Sequence, residues 1–555
     1  MTQDRRLRIL GLVVLLVFGV AWLRAGMLTT VSANGLRAKL DEGRVPQTIA
    51  APRGTITDRS GYVLAISEQS ADIFASPKEI KDPTKVAAQL APILGRSTTT
   101  LYDKLTADSG FEYLARLASP AQVKKIRALA IPGIGLTPKT RRQYPQDTVA
   151  SQLVGMTGVD GTGLSGIELS LDKALTGEDG KRLLIRGRGG ADAKVVYVKD
   201  EKTTQPGESV KLSIDLRIQA EAEKQIAAAA TKFQAKSATA IVMQPSTGKL
   251  LAVASWPKVD ANDASEAPAA ARAVAATSFN YEPGSTFKPF TVAGALEEHE
   301  ITPDTTFDIP NQYQVADRVI KDAEDHGAET LTTGQILSQS SNIGTVKIAQ
   351  RLGAKRFDEW IRKFGFGQTT GVEIAGEQRG RLLDVGDYSG SSIGNLPIGQ
   401  GELVTPMQLI SGYSTFANNG VREQPTILDS VNGKDVERAP GKRIVTANTA
   451  KQMRDMLEKT SEVGGTAASV AISGYTLASK TGTAQIFDTK LGEYSHTMYN
   501  SSVFGMAPAD HPKIVVAVLV NDPNSSIGYY GASVAGPAFK QITQSTLNYL
   551  GVRPN

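Results

Sequence analysis

YEPGSTFKPF, residues Tyr281–Phe290, turns at Pro283 and Gly284 and then opens the run STFKPFTVAGALEEHE. Pro289 is tolerated there only if a helix begins near Ser285, because the first-turn N–H groups have no partner inside the helix. Ser285 and Lys288, at i and i+3, then share one face. A lysine amine held against a serine hydroxyl can take its proton, provided burial or nearby cations keep the amine neutral. The pattern Ser-x-x-Lys also occurs at Ser170–Lys173, Ser246–Lys249 and Ser255–Lys258. Ser246 falls in a hairpin turn, Ser255 precedes a proline two positions on, and Ser170 has no matching motifs downstream. Context therefore selects Ser285.

Two further elements follow in order. Ser340-Ser341-Asn342 interrupts a helical pattern over 331–353. Clustered polar residues are poor helix formers, so a break is expected there, with side chains offered to a cleft. Lys480-Thr481-Gly482-Thr483 lies in a strand-like run. A central glycine lets another backbone approach closely, and an edge strand at this place could pair with a peptide. Two loose motifs carry less. Gly161–Gly166 fits G-x-G-x-x-G but lacks the acidic residue a dinucleotide site needs, so it reads as a tight turn. Gly390–Gly394 fits G-x-S-x-G without a clear preceding strand.

Around these motifs the chain alternates in type. Asp215 is placed to cap a helix, and 238–256 reads as an apolar hairpin about Pro-Ser-Thr-Gly. Helices are expected at 286–299, 331–353, 355–365, 405–418 and 447–462. Strands return at 475–487, 500–508 and 513–520, with a last amphipathic helix over 536–549. Strands on both sides of a helical middle predict one antiparallel sheet completed by both ends, an α+β layout. PRGTITDRSGYVLAIS (Pro52–Ser67) predicts strand, turn, strand, followed by a mixed region, with a Gly- and Lys-rich run at 177–194 and a polar linker at 200–209.

The 555 residues allow several domains. Apolar residues are 41% and charged residues 21%, an ordinary globular composition. The +5 formal charge is dispersed and gives no nucleic-acid footprint. With no cysteine, disulfides, thiolate metal sites and a thiol nucleophile are excluded. Four scattered histidines suggest no metal site, and without a nucleotide loop no cofactor is expected. Ile9–Leu28 is an apolar stretch interrupted only by Arg24, about 30 Å long as a helix and so able to span a bilayer. Arg5, Arg6 and Arg8 before it predict a cytoplasmic N-terminus by the positive-inside rule. No A-x-A-like cleavage site follows, so the segment reads as an uncleaved signal-anchor with the rest extracytoplasmic.

Ser-x-x-Lys, Ser-x-Asn and Lys-Thr-Gly in this order are the signature of penicillin-recognising serine transferases and hydrolases. PRGTITDRSG, RQYP (Arg142–Pro145), GLSGIE (Gly163–Glu168), YEPGSTFKPF, IGQGELVTPMQL (Ile398–Leu409) and FGMAP (Phe504–Pro508) extend the likeness over nearly the whole chain after residue 50. The chain resembles the class B penicillin-binding proteins. Glu282-Pro-Gly before Ser285 is closer to the septal, FtsI-type branch than to the elongation branch. The resemblance implies a cytoplasmic tail (1–8), a transmembrane anchor (9–28), a dimerisation-type pedestal (29–205) of mixed α/β structure, and a β-lactamase-like transpeptidase domain (206–555). It implies cross-linking of peptidoglycan stem peptides ending in D-Ala-D-Ala and acylation by β-lactams. Ser285 would be the nucleophile, Lys288 its base, Ser340 and Asn342 the proton relay, and Lys480 the carboxylate's cation. Thr481, Gly482 and Thr483 would contact substrate or form the oxyanion hole. The expected partners are an FtsW-type polytopic glycosyltransferase and other divisome membrane proteins. An elongation-type transpeptidase and, from another class, a β-lactam sensor are the alternatives.

Overall fold

The computed structural model describes residues 3–42, 44–186, 195–263 and 268–554. Residues 187–194 of the Gly- and Lys-rich run lie outside the described residues. The chain divides into two compact units: Met1–Pro52, Gln69–Thr140 and Gly177–Gly207 in one; Arg53–Glu68, Arg141–Thr176 and Glu208–Asn555 in the other.

The first unit contains the N-terminal helix Gln3–Glu42, whose Leu7–Thr29 stretch is long and apolar enough to cross a membrane and is not buried in the protein. Arg44–Ile49, Gly180–Arg186 and Val195–Lys202 form an antiparallel three-stranded sheet. Ala71–Ala75 pairs with Glu112–Ala118. Helices Pro83–Leu94, Thr98–Leu105 and Pro120–Leu129 close a small core around Ile73, Leu90, Leu101 and Leu114. Asp82, Ser97 and Ser119 cap these helices, each accepting a hydrogen bond from a first-turn N–H.

In the second unit, five antiparallel strands form the central sheet: β1 (Ser237–Met243), β2 (Leu250–Trp256), β3 (Ala478–Asp488), β4 (Glu493–Ala507) and β5 (Ile514–Asn521), in the order β2-β1-β5-β4-β3. The expected hairpin of 238–256 thus joins the C-terminal strands in one sheet. β5 reads IVVAVLVN because both its faces are covered. Val516, Val518 and Val520 face one core with Ile218 and Phe539, on helices Leu216–Lys232 and Gly536–Tyr549; Val515, Ala517 and Leu519 face another with Phe290 and Leu409. The Asp215 carboxylate accepts from Arg217 N and Ile218 N, as a helix cap should.

Segments Arg53–Glu68 and Arg141–Thr176 pack with this unit, although they precede residue 206, and a buried ion cluster shows why. Arg53 Nε meets Glu168 at 2.5 Å and its Nη1 meets Asp172 at 2.8 Å, while Arg142 Nε meets the other Glu168 oxygen at 2.6 Å. Glu168 is fully buried, and a buried charge must be paired. The RGTITDRSG, RQYP and GLSGIE stretches are therefore three parts of one structural cluster. Asp58 closes the turn in the first of them through Ser60 N and Tyr62 N, and its second oxygen takes Leu216 N at 3.1 Å.

Candidate active site

Gly284 has φ +55°, a left-handed conformation open to glycine, and lets the chain enter a short 3₁₀ turn, Gly284–Phe287. Helix α1 (Lys288–Glu297) follows, with Pro289 in its first turn, where a missing N–H costs nothing. The helix expected from 286 thus begins as a tighter turn around Ser285. Phe287 and Phe290 anchor this turn from behind: their ring centroids each lie 4.8 Å from that of Phe366, the first tilted against it and the second edge-on. The Tyr413 hydroxyl donates to Thr286 O at 2.8 Å. Lys288 points the other way and is completely buried.

The helical pattern over 331–353 is broken where expected. Helices α2 (Thr333–Gln339) and α3 (Asn342–Leu352) are separated by Ser340, at φ +62°. This kink turns the Ser340 and Asn342 side chains toward Lys288. Lys288 Nζ donates to Asn342 Oδ1 at 2.7 Å, to Ser340 Oγ at 3.2 Å and to the Ser340 carbonyl. Its amine is thus held by the Ser340–Asn342 pair rather than by the Ser285 hydroxyl. Lys480 Nζ, on β3, donates to the same Ser340 Oγ at 2.8 Å and to Thr481 O at 3.1 Å. Lys288, Ser340, Asn342 and Lys480 form one hydrogen-bonded network.

β3 is the outer strand of the sheet, and it packs beside the Ser285 turn. Gly482 permits the approach. A Cβ there would lie 2.8 Å from Thr286 Cγ2 and 2.6 Å from Ser502 Oγ. The Thr483 hydroxyl accepts from Gly531 N at 3.0 Å, which ties the strand to the chain ahead of the last helix. Thr481, Gly482 and Thr483 therefore lie on the outer strand of the sheet, beside the Ser285 turn.

Burial governs the electrostatics. It pulls the Lys288 amine down to about 7, against the opposing pull of the nearby Asp322 carboxylate. Lys480 is driven well below its ordinary value, by burial first and by the neighbouring Lys288 second. The two amines thus compete for charge in one dry site.

Asp322 escaped the sequence reading. It accepts from Ser341 Oγ at 2.7 Å, from Ile343 N at 3.0 Å and from Asn342 N, capping α3 from outside the helix. Asn342 Nδ2 also donates to Lys321 O at 2.7 Å. Nothing in the polar run around 321–326 marks Asp322, since the N–H groups it satisfies lie about twenty residues away. The other Ser-x-x-Lys matches are otherwise engaged: Lys249 pairs with Asp429, Lys258 with Glu223 at 3.6 Å, and the Ser170 hydroxyl donates to Gly166 O at 2.9 Å. Gly161–Gly166 includes the turn expected of it, closed by a bridge between Thr157 and Gly163.

Residues 238–544 match the family model of the penicillin-binding protein transpeptidase domain, and residues 48–212 that of the penicillin-binding protein dimerisation domain. The chain is 31% identical to the probable peptidoglycan D,D-transpeptidase PenA of Neisseria meningitidis, across 100% of this chain and 94% of that protein. It is 32% identical to the peptidoglycan D,D-transpeptidase FtsI of Escherichia coli, across 92% and 85% of the two chains. The crystal structure of penicillin-binding protein 3 from Mycobacterium tuberculosis complexed with aztreonam superposes with a TM-score of 0.71 at 28% identity, over 92% of this chain and 98% of that one. A likeness that runs through both domains, and includes the fold that brings the three motifs together, makes this chain a class B penicillin-binding protein, a peptidoglycan D,D-transpeptidase.

Proposed function

We propose that the chain cross-links peptidoglycan through an acyl-enzyme on Ser285. The observation that carries this is the convergence of Lys288, Ser340, Asn342 and Lys480 in one network beside the Ser285 turn. Ser285 Oγ attacks the penultimate D-alanine carbonyl, and its proton passes to the neutral Lys288 amine. Backbone N–H groups of Ser285 and Thr483 hold the developing oxyanion; one such donor is worth about 10²–10³ in rate. The C–N bond then breaks, and Ser340, between the two lysines, returns a proton to the departing D-alanine. Asn342 orients Lys288 and the peptide. The terminal carboxylate of the donor lies against Lys480, Thr481 and Thr483, and supplies the anion that the buried Lys480 lacks. The donor peptide adds to the free edge of β3, with Gly482 giving it room. An amine of a neighbouring stem peptide attacks the ester, releases Ser285 and forms the cross-link. A β-lactam enters the same path as a donor mimic.

Fluorescent penicillin labelling of the full chain, followed by mapping of the labelled peptide, tests this. Label is expected on Ser285 and absent from Ser285→Ala; full labelling of that variant would overturn the assignment.

The Glu282-Pro-Gly lead into Ser285 and the likeness to FtsI support a septal role, with residues 1–8 cytoplasmic, 9–28 in the membrane, 29–205 as pedestal and 206–555 as the extracytoplasmic transpeptidase. Midcell localisation in dividing cells would support that branch; side-wall localisation would favour elongation. Cross-linking requires newly polymerised glycan, so an FtsW-type glycosyltransferase and divisome membrane proteins are the proposed partners. Gly11, Gly19 and Gly26 carry no side chain and would permit close lateral helix contact, although their spacing is not G-x-x-x-G.

A further inference from the structure

Directly before Ser285 the chain lies on a second segment. Tyr281 N donates to Val404 O at 3.0 Å, Val404 N to Tyr281 O at 2.9 Å, and Gly284 N to Gly399 O at 2.9 Å. A Cβ on Gly399 would stand 2.2 Å from Gly284 O, so the two backbones are in direct contact. Each segment brings a carboxyl into the seam. Glu282 Oε1 accepts from Gly401 N at 3.0 Å and from the Tyr494 hydroxyl at 3.0 Å, while its Oε2 is buried without a partner. Glu402 is 1% exposed, and neither of its oxygens has a hydrogen-bond partner.

A solitary carboxylate so deeply buried would be very costly, and a second one beside it more so. Burial, then the neighbouring Glu282, pushes the Glu402 carboxyl well above the ordinary range; burial also raises Glu282. The titratable groups facing the pair are Tyr494 on β4 and Tyr388, and Arg318 acts on Tyr494. Among the described residues no cation pairs with either carboxyl. Glu282 holds the N–H of Gly401, the residue directly before Glu402, so the two acidic residues are neighbours in the seam, and neighbouring buried carboxyls without a counter-ion hold a proton between them. A protonated Glu402 carboxyl also has one O–H to donate, which gives the unpartnered Glu282 Oε2 an available donor.

We propose that Glu282 and Glu402 share a proton across this seam and act as a positioning pair for Ser285. While the proton is held, Glu282 ties the Gly399–Gly401 loop and the Tyr494 end of β4 to the turn that presents Ser285. When it is lost, repulsion between the carboxylates loosens the seam and Ser285 loses its place. The pair thus imposes a fall in acylation at alkaline pH, the opposite sense to the rise set by deprotonation of Lys288. This rests on the reading of Ser285 as the acylated residue.

Two measurements on the full chain in detergent test it. Infrared difference spectra at neutral pH between the native chain and Glu402→Gln are expected to show a protonated carboxyl band that the variant lacks; no such band would overturn the shared proton. Second-order acylation by a fluorescent penicillin is then followed against pH. In Glu402→Gln, which keeps hydrogen-bonding atoms but cannot ionise, the alkaline fall is expected to move up by about one pH unit or more. A fall that coincides with the native profile would overturn the positioning role. If Glu402→Gln does not fold, Glu282→Gln gives the same reading from the other side of the seam. A native chain without label on Ser285 would fail the acyl-enzyme reading; a labelled chain with coincident profiles would fail only this one.

Discussion

At the scale of single residues, Lys288 is the group whose environment matters most. Its amine is fully buried, between Ser340 and Asn342, and burial brings it down to about 7. With the neutral amine as the proposed base, acylation is expected to rise with pH through about 7, ahead of the alkaline fall set by the Glu282–Glu402 pair. A rate–pH profile of penicillin acylation that stays flat through that region would show that another group takes the proton. Lys288→Met keeps much of the side-chain volume and removes the base. It is expected to lower acylation by about 10²–10⁴ while the thermal transition survives; unchanged kinetics in a folded variant would displace Lys288 from the role. The lysine's spacing from Ser285 was legible in the sequence, because i and i+3 share a helix face. Its true partners were not. Ser340 and Asn342 are 52 and 54 residues away, and only the kink at Ser340 brings them to the amine. Asp322 was missed for the same reason: it acts through N–H groups of a helix that starts about twenty residues later.

At the scale of elements, the site is a meeting of one turn, one helix junction and one sheet edge. The distance between β3 and the Ser285 turn is set by Gly482. In Gly482→Ala the new Cβ would meet Thr286 Cγ2 at 2.8 Å, and Thr286 is held by its own hydroxyl bond to Pro283 O at 2.8 Å. Overpacking of this kind costs about 1–3 kcal/mol, and here it also moves the edge strand from the nucleophile. The variant is expected to acylate at least about tenfold slower, more than its fall in melting temperature accounts for. Native acylation in a stable Gly482→Ala chain would show that the close approach is not required. The elements themselves were largely readable. β1, β2, β3 and β5 and the Asp215 cap fall near where periodicity and turn chemistry put them. The start of β4 does not: the expected strand at 500–508 extends back to Glu493, pairing with the end of β3 as a long hairpin. Hairpin length depends on cross-strand partners, which a single strand's pattern does not contain.

At the scale of the whole molecule, the apolar helix and the transpeptidase can be separated by experiment. Replacing residues 9–28 by an unrelated membrane span of equal length is expected to preserve penicillin labelling of Ser285. It should also reduce co-purification with the proposed polymerase and, on the proposed septal role, fail to support division. Full complementation with normal co-purification would reduce the segment to a tether. By itself, the sequence determined the class of the chain, the membrane-length apolar segment, the α+β order of elements and the identity of the three motifs. The class came from the family resemblance of the quoted motifs; the others are local properties, carried by periodicity, turn residues and fixed spacings of a few positions. Only the tertiary structure decided that Arg53–Glu68 and Arg141–Thr176 pack with the C-terminal region, that Lys288 and Lys480 share Ser340, and that Glu402 is buried beside Glu282. Each of these pairs groups far apart along the chain. Their charges and hydrogen bonds take their values from burial and from partners that only a closed, packed fold supplies.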